Sequence, residues 1–299
     1  MPLTPGDLPQ LQATLAGWIA AAGSSGYCHP GELAHRIAVE GRRGVPFDQQ
    51  ILIAGDAPAI SAIGILFRFG AAFDLFVAPE LRGSATERGL LHIAATRTAQ
   101  LIARHGTPDT PVITDVCYRD TIRRQLLSQI GFSHYREWDA ITTRSLNPLP
   151  GAAILAEGFG IRHATAHDAA GLAWVINAAF NDDWTPEQYR EYVLDAPGYG
   201  ARRHLVAIAP DGQIAACVVL WLDEQTRIGQ FEPVATHPSY RRQGLARALL
   251  ISGMHQMQQA GMHTAALNYQ LDNHAAAALY RNLGFIINDH TLGYQQTQP

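Results

Sequence analysis

The stretch Val234-Ala235-Thr236-His237-Pro238-Ser239-Tyr240-Arg241-Arg242-Gln243-Gly244-Leu245-Ala246 decides the reading of this 299-residue chain. It begins as a strand, passes through a basic, glycine-bearing turn, and opens a helix over 243–260. Ala246, Leu249, Leu250, Gly253, Met254 and Met257 fall on one face of that helix, and Gly261 stands where a terminating glycine belongs. The first N–H groups of a helix lack internal partners, and the macrodipole adds partial positive charge there. Main-chain donors from Arg242 through Gln243, Gly244 and Leu245 to Ala246 therefore suit a pyrophosphate, and Gly244 and Ala246 are small enough to admit it. Arg241, Arg242 and Arg247 supply countercharge. The competing reading is a solvated basic loop that caps a helix. The stretch is neither the GxxxxGK[ST] of a nucleotide P-loop nor the GxGxxG of a dinucleotide site.

Outward from this stretch, strand-like and helix-like segments alternate, which points to an α/β or α+β arrangement. Residues 160–162 open a strand, Asp168 is placed as the N-cap of a helix over 169–180, and Pro186 starts a second helix over 186–194. Strands over 205–209 and 214–222 flank the turn Pro210-Asp211-Gly212, and further strands cover 227–236 and 264–269. Ala275, Ala278, Leu279 and Leu283 make a last helical stripe before Gly284-Phe285 and a final strand. The first half repeats this order after a helix over 11–22. Strands at 51–54, 60–69 and 73–77 lead to a helix ended by Gly106, a strand over 111–117, and a helix through 123–128 into Gly131-Phe132. The helix-ending glycine precedes the Gly-Phe pair by 25 residues in the first half and by 23 in the second, so the chain reads as two copies of one unit. The expected domains are 1–147 and 160–299, with Asn147-Pro148-Leu149-Pro150-Gly151 as linker.

Composition narrows the function. A net charge of −4 without a basic block argues against nucleic acid as a partner. No apolar run reaches the length of a membrane span, and MPLTPGDLPQ lacks the charged and apolar regions of a secretory signal. Cys28, Cys117 and Cys217 are widely spaced and form no CxxC pair, which fits reduced, buried thiols and a cytoplasmic location. His163 and His167 have helical spacing but no accompanying zinc signature, so no metal is expected.

A second segment reads Asn273-His274-Ala275-Ala276-Ala277-Ala278-Leu279-Tyr280-Arg281-Asn282-Leu283-Gly284-Phe285. Together the two segments resemble the GNAT superfamily of acyl-CoA N-acyltransferases. Arg241, Gly244 and Ala246 meet its Q/R-x-x-G-x-G/A loop, and Asn273, Ala276, Leu279, Tyr280, Gly284 and Phe285 meet its N-x-x-A-x-x-L-Y-x-x-x-G-F signature. The resemblance covers roughly 160–294. It implies tandem domains, each a mostly antiparallel twisted sheet flanked by helices, with acetyl-CoA as cosubstrate. It implies that main-chain groups at Val234 and Thr236 receive the pantetheine arm like an added strand, and that the N–H near Val234 polarises the thioester carbonyl. Arg241 to Arg247 would hold the pyrophosphate, Asn273 and Ala276 would belong to the cofactor site, and Tyr280 would stand beside the sulfur.

Chemistry gives these positions reasons. Attack of an amine on a thioester needs an unprotonated amine, a stabilised oxyanion and a protonated thiolate leaving group. A phenol with a pKa of about 10 can protonate the thiolate, which makes Tyr280 the candidate general acid, against a core aromatic. Glu232 is the one carboxylate on its strand, and period-two alternation puts it on the face of Val234. It is the candidate base, against a paired or solvated glutamate, with His237 as a second candidate. Pro233 cannot donate in a ladder and so marks a bulge or an unpaired edge. Glu187, Glu191 and Asp195, with Asp182 and Asp183 before them, are either a solvated helix face or an acidic wall that attracts a cationic amine.

In the first copy Arg82 and Gly83 are adjacent instead of three apart, Leu127 holds the place of Tyr280, and Asp120 holds that of Asn273. That copy reads as degenerate, a retained but altered site being the alternative. The expected activity is transfer of an acetyl group from acetyl-CoA to a primary amine of a small molecule or peptide, by direct attack in a ternary complex, in a monomer or homodimer. The rival is a non-catalytic acyl-CoA-binding sensor or regulatory module. Fold and cofactor motifs do not fix the acceptor.

Overall fold

Three helices precede the first strand in the computed structural model, which describes residues 4–55, 59–107 and 109–296. The outermost ends of the two expected domains, 1–3 and 297–299, lie outside the described residues. The helices are α1 (Leu8–Ala22), α2 (Pro30–Ala38) and the single turn α3 (Phe47–Gln50). An antiparallel meander of β1 (Ile51–Ala54), β2 (Ala62–Arg68) and β3 (Ala72–Val77) follows. α4 (Ala85–His105) then carries the chain to β4 (Val112–Cys117), parallel to β3, before α5 (Thr121–Gln129) and the long β5 (Ser133–Ser145). The second half runs β6 (Gly160–His163), α6 (Ala169–Phe180), α7 (Pro186–Tyr189), β7 (His204–Ile208), β8 (Ile214–Asp223), β9 (Ile228–Thr236), α8 (Leu245–Gln259), β10 (Thr264–Gln270), α9 (His274–Asn282) and β11 (Ile286–Gln296). β6 to β9 are successively antiparallel and β10 is parallel to β9, so both halves carry the expected mixed, mostly antiparallel sheet flanked by helices.

The chain divides into unit 1, Met1–Ile141 with Asn288–Pro299, and unit 2, Thr142–Ile287. This differs from the expected boundaries of 147 and 160–299 in two ways. β11 belongs mostly to unit 1, where Thr291 to Gln296 pair antiparallel with Cys117 to Val112 of β4. The last residues of β5 belong to unit 2, where the Thr142 hydroxyl donates to the Leu267 carbonyl at 2.7 Å. Alternation in a sequence fixes which face a strand buries; it does not say which neighbour the strand takes. The segment expected as a linker is likewise part of unit 2. Leu146 is buried, its carbonyl accepts from Gln258 Nε2 at 2.8 Å, and Leu149 packs on the same core.

Each unit is layered about its sheet. In unit 1, Leu91, Ala94, Ile102 and Leu127 pack on Phe73, Leu75, Val77 and Val116 on one face. Leu11, Leu15, Leu33 and Ile37 pack on Ile63, Ile65 and Phe76 on the other. In unit 2 the stripe read from the sequence, Leu249, Leu250, Met254 and Met257, covers Val218, Leu220, Phe231 and Leu267. Each such side chain contributes about 1.5–3 kcal/mol on burial.

Two local expectations change. Asp168 stands at the N-cap position of α6, but its carboxylate accepts from the Thr165 N–H at 2.7 Å and from Arg162, and so serves the preceding 3₁₀ turn. The helix expected over 186–194 relaxes after α7 into a π-helical turn, Arg190–Leu194, closed by the Asp195 N–H on the Arg190 carbonyl at 2.8 Å.

Gly253 sets how closely α8 approaches the sheet. A Cβ there would lie 2.5 Å from Cε1 of Phe231 and 3.4 Å from Cδ2 of Leu220. Overpacking of this kind costs about 1–3 kcal/mol. Gly253→Ala is therefore expected to lower the unfolding free energy by that amount, read as a lower urea midpoint with unchanged slope; an unchanged midpoint would show that the interface yields.

Candidate active site

β9 carries the main-chain groups that matter. Val218 of β8 lies opposite Val234 and Leu220 opposite Phe231, so Val219 alone faces Glu232 and Pro233. This is a β-bulge, a position that tolerates a residue without an N–H. Because Phe231 and Val234 share a face across it, the alternation used to orient Glu232 does not carry through the bulge. On the other side, β10 pairs only with Ile228, Gly229 and Gln230, and the strands part beyond that point. The His237 N–H donates to the Ala215 carbonyl at 3.0 Å. Ala235 and His237 therefore bond toward β8, while Val234 and Thr236 turn their N–H and C=O groups to the edge that β10 has left. An extended chain-like ligand adds to such an edge as a strand would.

The turn after β9 ends on Gly244, which is the N-cap of α8 in a left-handed conformation (φ 77°) and makes no side-chain capping bond. A Cβ on Gly244 would meet nothing within 4 Å, so the space over the helix start is open. Arg241, Arg242, Gln243 and Arg247 are exposed around it. Ala246 is half-buried, and Leu245 is buried in the core, so only its N–H is offered here. An uncapped helix start, a left-handed glycine and three exposed guanidinium groups fit a pyrophosphate, and the parted edge of β9 fits its arm.

His237 has a different task from the one considered in the sequence. Its Nδ1 accepts the Ser239 N–H at 3.2 Å, and its ring stacks on Trp174 with centroids 3.5 Å apart. Burial, and then Arg241, hold its pKa below the usual histidine value. The imidazole thus caps the turn in its neutral form.

Tyr280 is buried on α9, its ring 5.4 Å from that of Tyr269 and 6.1 Å from that of Phe285. Burial first, then the charge of Glu232 and of Tyr269, push its phenol above the usual value, so it keeps its proton at neutral pH. Glu232 is half-buried and electrostatically coupled to Tyr280. Asn273 caps α9, its Oδ1 accepting the Ala276 N–H at 3.1 Å, and Ala276 packs against the core. Glu187, Glu191 and Asp195 line a pocket of ≈ 550 Å³ with His167 and Arg190. Asp182 instead accepts the Trp184 indole N–H at 2.9 Å, and the Asp183 N–H donates to it at 3.3 Å. Among the described residues no group of histidine, cysteine and carboxylate side chains could hold a metal ion. No described helix is long and apolar enough to cross a membrane.

Unit 1 repeats this framework with its openings filled. The Ala78 N–H donates to the Ser61 carbonyl at 2.8 Å, as His237 does to Ala215, so Leu75 and Val77 face the edge where β3 leaves β4. Arg123 Nη1 donates to the Leu75 carbonyl at 2.6 Å and the Tyr27 hydroxyl to the Val77 carbonyl at 2.8 Å. Counted back from the Gly-Phe pair, Arg123 holds the position of Ala276. Its guanidinium is buried against Glu87, whose carboxylate also accepts the Gly83 N–H at the start of α4. Ser84 caps that helix through the Glu87 N–H at 3.1 Å, and Arg82 is paired with Asp120. The sequence reading missed this set. The exchange of an alanine for an arginine at 123 was the legible signal.

Residues 170–285 match the Acetyltransferase (GNAT) family. This part of the chain is similar to GNAT acetyltransferase domains. A mycothiol acetyltransferase of Streptomyces griseus is 29% identical over 233 residues, 75% of this chain and 71% of that one. A second, of Nocardia farcinica, is 26% identical over 273 residues, 86% and 80%. The [ribosomal protein bS18]-alanine N-acetyltransferase of Escherichia coli is 36% identical over 92 residues, 30% of this chain and 60% of its own. Among solved structures, a tandem GNAT protein from the clavulanic acid biosynthesis pathway superposes with a TM-score of 0.68 at 14% identity, covering 100% of this chain and 98% of its own. A GCN5-related N-acetyltransferase from Sphaerobacter thermophilus gives 0.66 at 17%, covering 100% and 95%. The fold is the tandem GNAT arrangement, and the chain is an acyltransferase.

The contrast between the units sets a stoichiometry. Calorimetric titration with acetyl-CoA is expected to give one site per chain, lost in Gly244→Glu, which places a carboxylate over the helix start. Two sites, or one that survives Gly244→Glu, would overturn the assignment to unit 2.

Proposed function

We propose that unit 2 transfers the acetyl group of acetyl-CoA to the primary amine of a small molecule by direct attack in a ternary complex, and that unit 1 is a degenerate copy that holds no acyl-CoA. The observation that carries this reading is the parted edge of β9, where Val234 and Thr236 present main-chain groups on the strand that also bears Glu232. Arg241, Arg242 and Arg247, with the N–H groups of Gly244, Leu245 and Ala246, bind the pyrophosphate. Acetyl-CoA supplies the activated thioester. Glu232 removes the proton of the incoming ammonium, directly or through water, and the Val234 N–H donates to the oxygen on which negative charge develops. Tyr280 holds its proton at Oη and delivers it to the departing sulfur. Asn273 orders the start of α9 and thereby the helix that carries Tyr280.

A small-molecule acceptor is supported over a peptide by the extent of the likeness. The mycothiol acetyltransferases align along most of the chain, the alanine acetyltransferase along 30% of it. A binding module without turnover is the rival, and a panel of small amines with thiol detection of released CoA separates the two. No turnover with any amine would favour the module.

Tyr280→Phe is expected to lower kcat by roughly 100-fold, the lower range of proton-transfer catalysis, with acetyl-CoA affinity unchanged. Because burial raises the phenol above its ordinary value, kcat should hold as pH rises through about 10, where an ordinary tyrosine would lose its proton. Equal rates for the two proteins would remove Tyr280 from the reaction.

A further inference from the structure

The bulge in β9 has a partner that no signature of the sequence marks. Trp221 lies on β8 opposite Gln230, two residues before the bulge, and is 1% exposed. Its indole N–H donates to the main-chain carbonyl of Glu232 at 2.7 Å. We propose that Trp221 is a positioning residue: its hydrogen bond fixes the Glu232–Pro233 bulge and so aims the Glu232 carboxylate and the Val234 N–H at the reacting centre. The proposal rests on the reading of Glu232 as the base.

A bulge interrupts the ladder locally, and the residue at its tip gains freedom that regular pairing would remove. Here the second bulge residue is Pro233, which has no N–H to contribute, so the tip is held by fewer main-chain bonds than an ordinary bulge. A buried indole is a rigid donor, and its own N–H would be costly to leave unpaired. Trp221 thus joins the even, buried part of β8 to the one place in β9 where register changes. The residue whose carbonyl it holds is Glu232, and Val234 lies two positions further on. An error of about 1 Å in such a group is enough to cost 100-fold in rate.

The test is a double-mutant cycle of Trp221→Phe and Glu232→Gln, read as kcat, amine KM and acetyl-CoA Kd. Trp221→Phe is expected to lower kcat by about tenfold, while acetyl-CoA Kd stays within twofold, because the phosphate turn and the start of α8 lie outside the bulge. In the Glu232→Gln background the same substitution should cost clearly less than it does alone, since only the part transmitted through the Val234 N–H remains. A merely structural tryptophan would weaken acetyl-CoA binding and kcat together, with additive losses; that pattern overturns the proposal. Should W221F not fold, benzothienyl-alanine at position 221 carries the same test, since sulfur replaces only the N–H; full activity of that protein also overturns it. If Glu232→Gln itself leaves kcat intact, the assignment of the base fails and the proposal with it. If Glu232→Gln is inactive while Trp221→Phe is fully active, only the role of Trp221 fails.

Discussion

The free edge of β9 is the constraint on which the rest of the site depends. Buried main-chain N–H and C=O groups must find partners, and β10 withdraws from β9 after Gln230. Val234 and Thr236 are left facing that edge, and the bulge at Glu232 and Pro233 turns the strand as they do so. Unit 1 meets the same demand by itself. There the carbonyls of Leu75 and Val77 are taken by Arg123 and Tyr27, side chains from α5 and from the segment between α1 and α2. One framework thus leaves this edge open in unit 2 and covers its carbonyls with side chains in unit 1.

The helix starts follow the same logic. α4 begins with a serine cap and with Glu87 in its first turn, so its orphan N–H groups and the positive end of its dipole are already answered. Glu87 is fully buried and paired with Arg123, and removal of one member of such a pair leaves a charge uncompensated, at a cost of about 3–5 kcal/mol. Unit 1 is therefore committed to its filled state. α8 has no acid in its first turn, no side-chain cap and a left-handed glycine at its N-cap. That turn leaves its first N–H groups and the positive end of the dipole to an anion.

What was legible in the sequence followed from local rules. The strand, turn and helix around Gly244, the stripe on α8 and the meaning of Pro233 come from periods and a missing donor, and these depend only on neighbours in the chain. The stacking of His237 on Trp174, the reach of Trp221 to Glu232 and the lodging of Arg123 in unit 1 depend on which distant segments meet. No period encodes those. The orientation of Glu232 failed for a related reason, since the proline that announced a bulge also cancelled the alternation used to aim the glutamate.

The assignment of β11 is the plainest case of a non-local fact with functional weight. Read from the repeat, the chain from 160 to 299 is a self-sufficient copy, yet most of its last strand pairs with β4 in unit 1. Six residues of β11, Thr291 to Gln296, are in register with Cys117 to Val112, and Leu292 and Tyr294 are buried in the core of unit 1. A chain cut at 147 leaves β4 with an open edge and that core without two of its side chains. An unpaired edge is a site for association, and each lost apolar side chain costs about 1.5–3 kcal/mol of burial. Unit 1 therefore needs the C-terminal strand whether or not it binds any ligand.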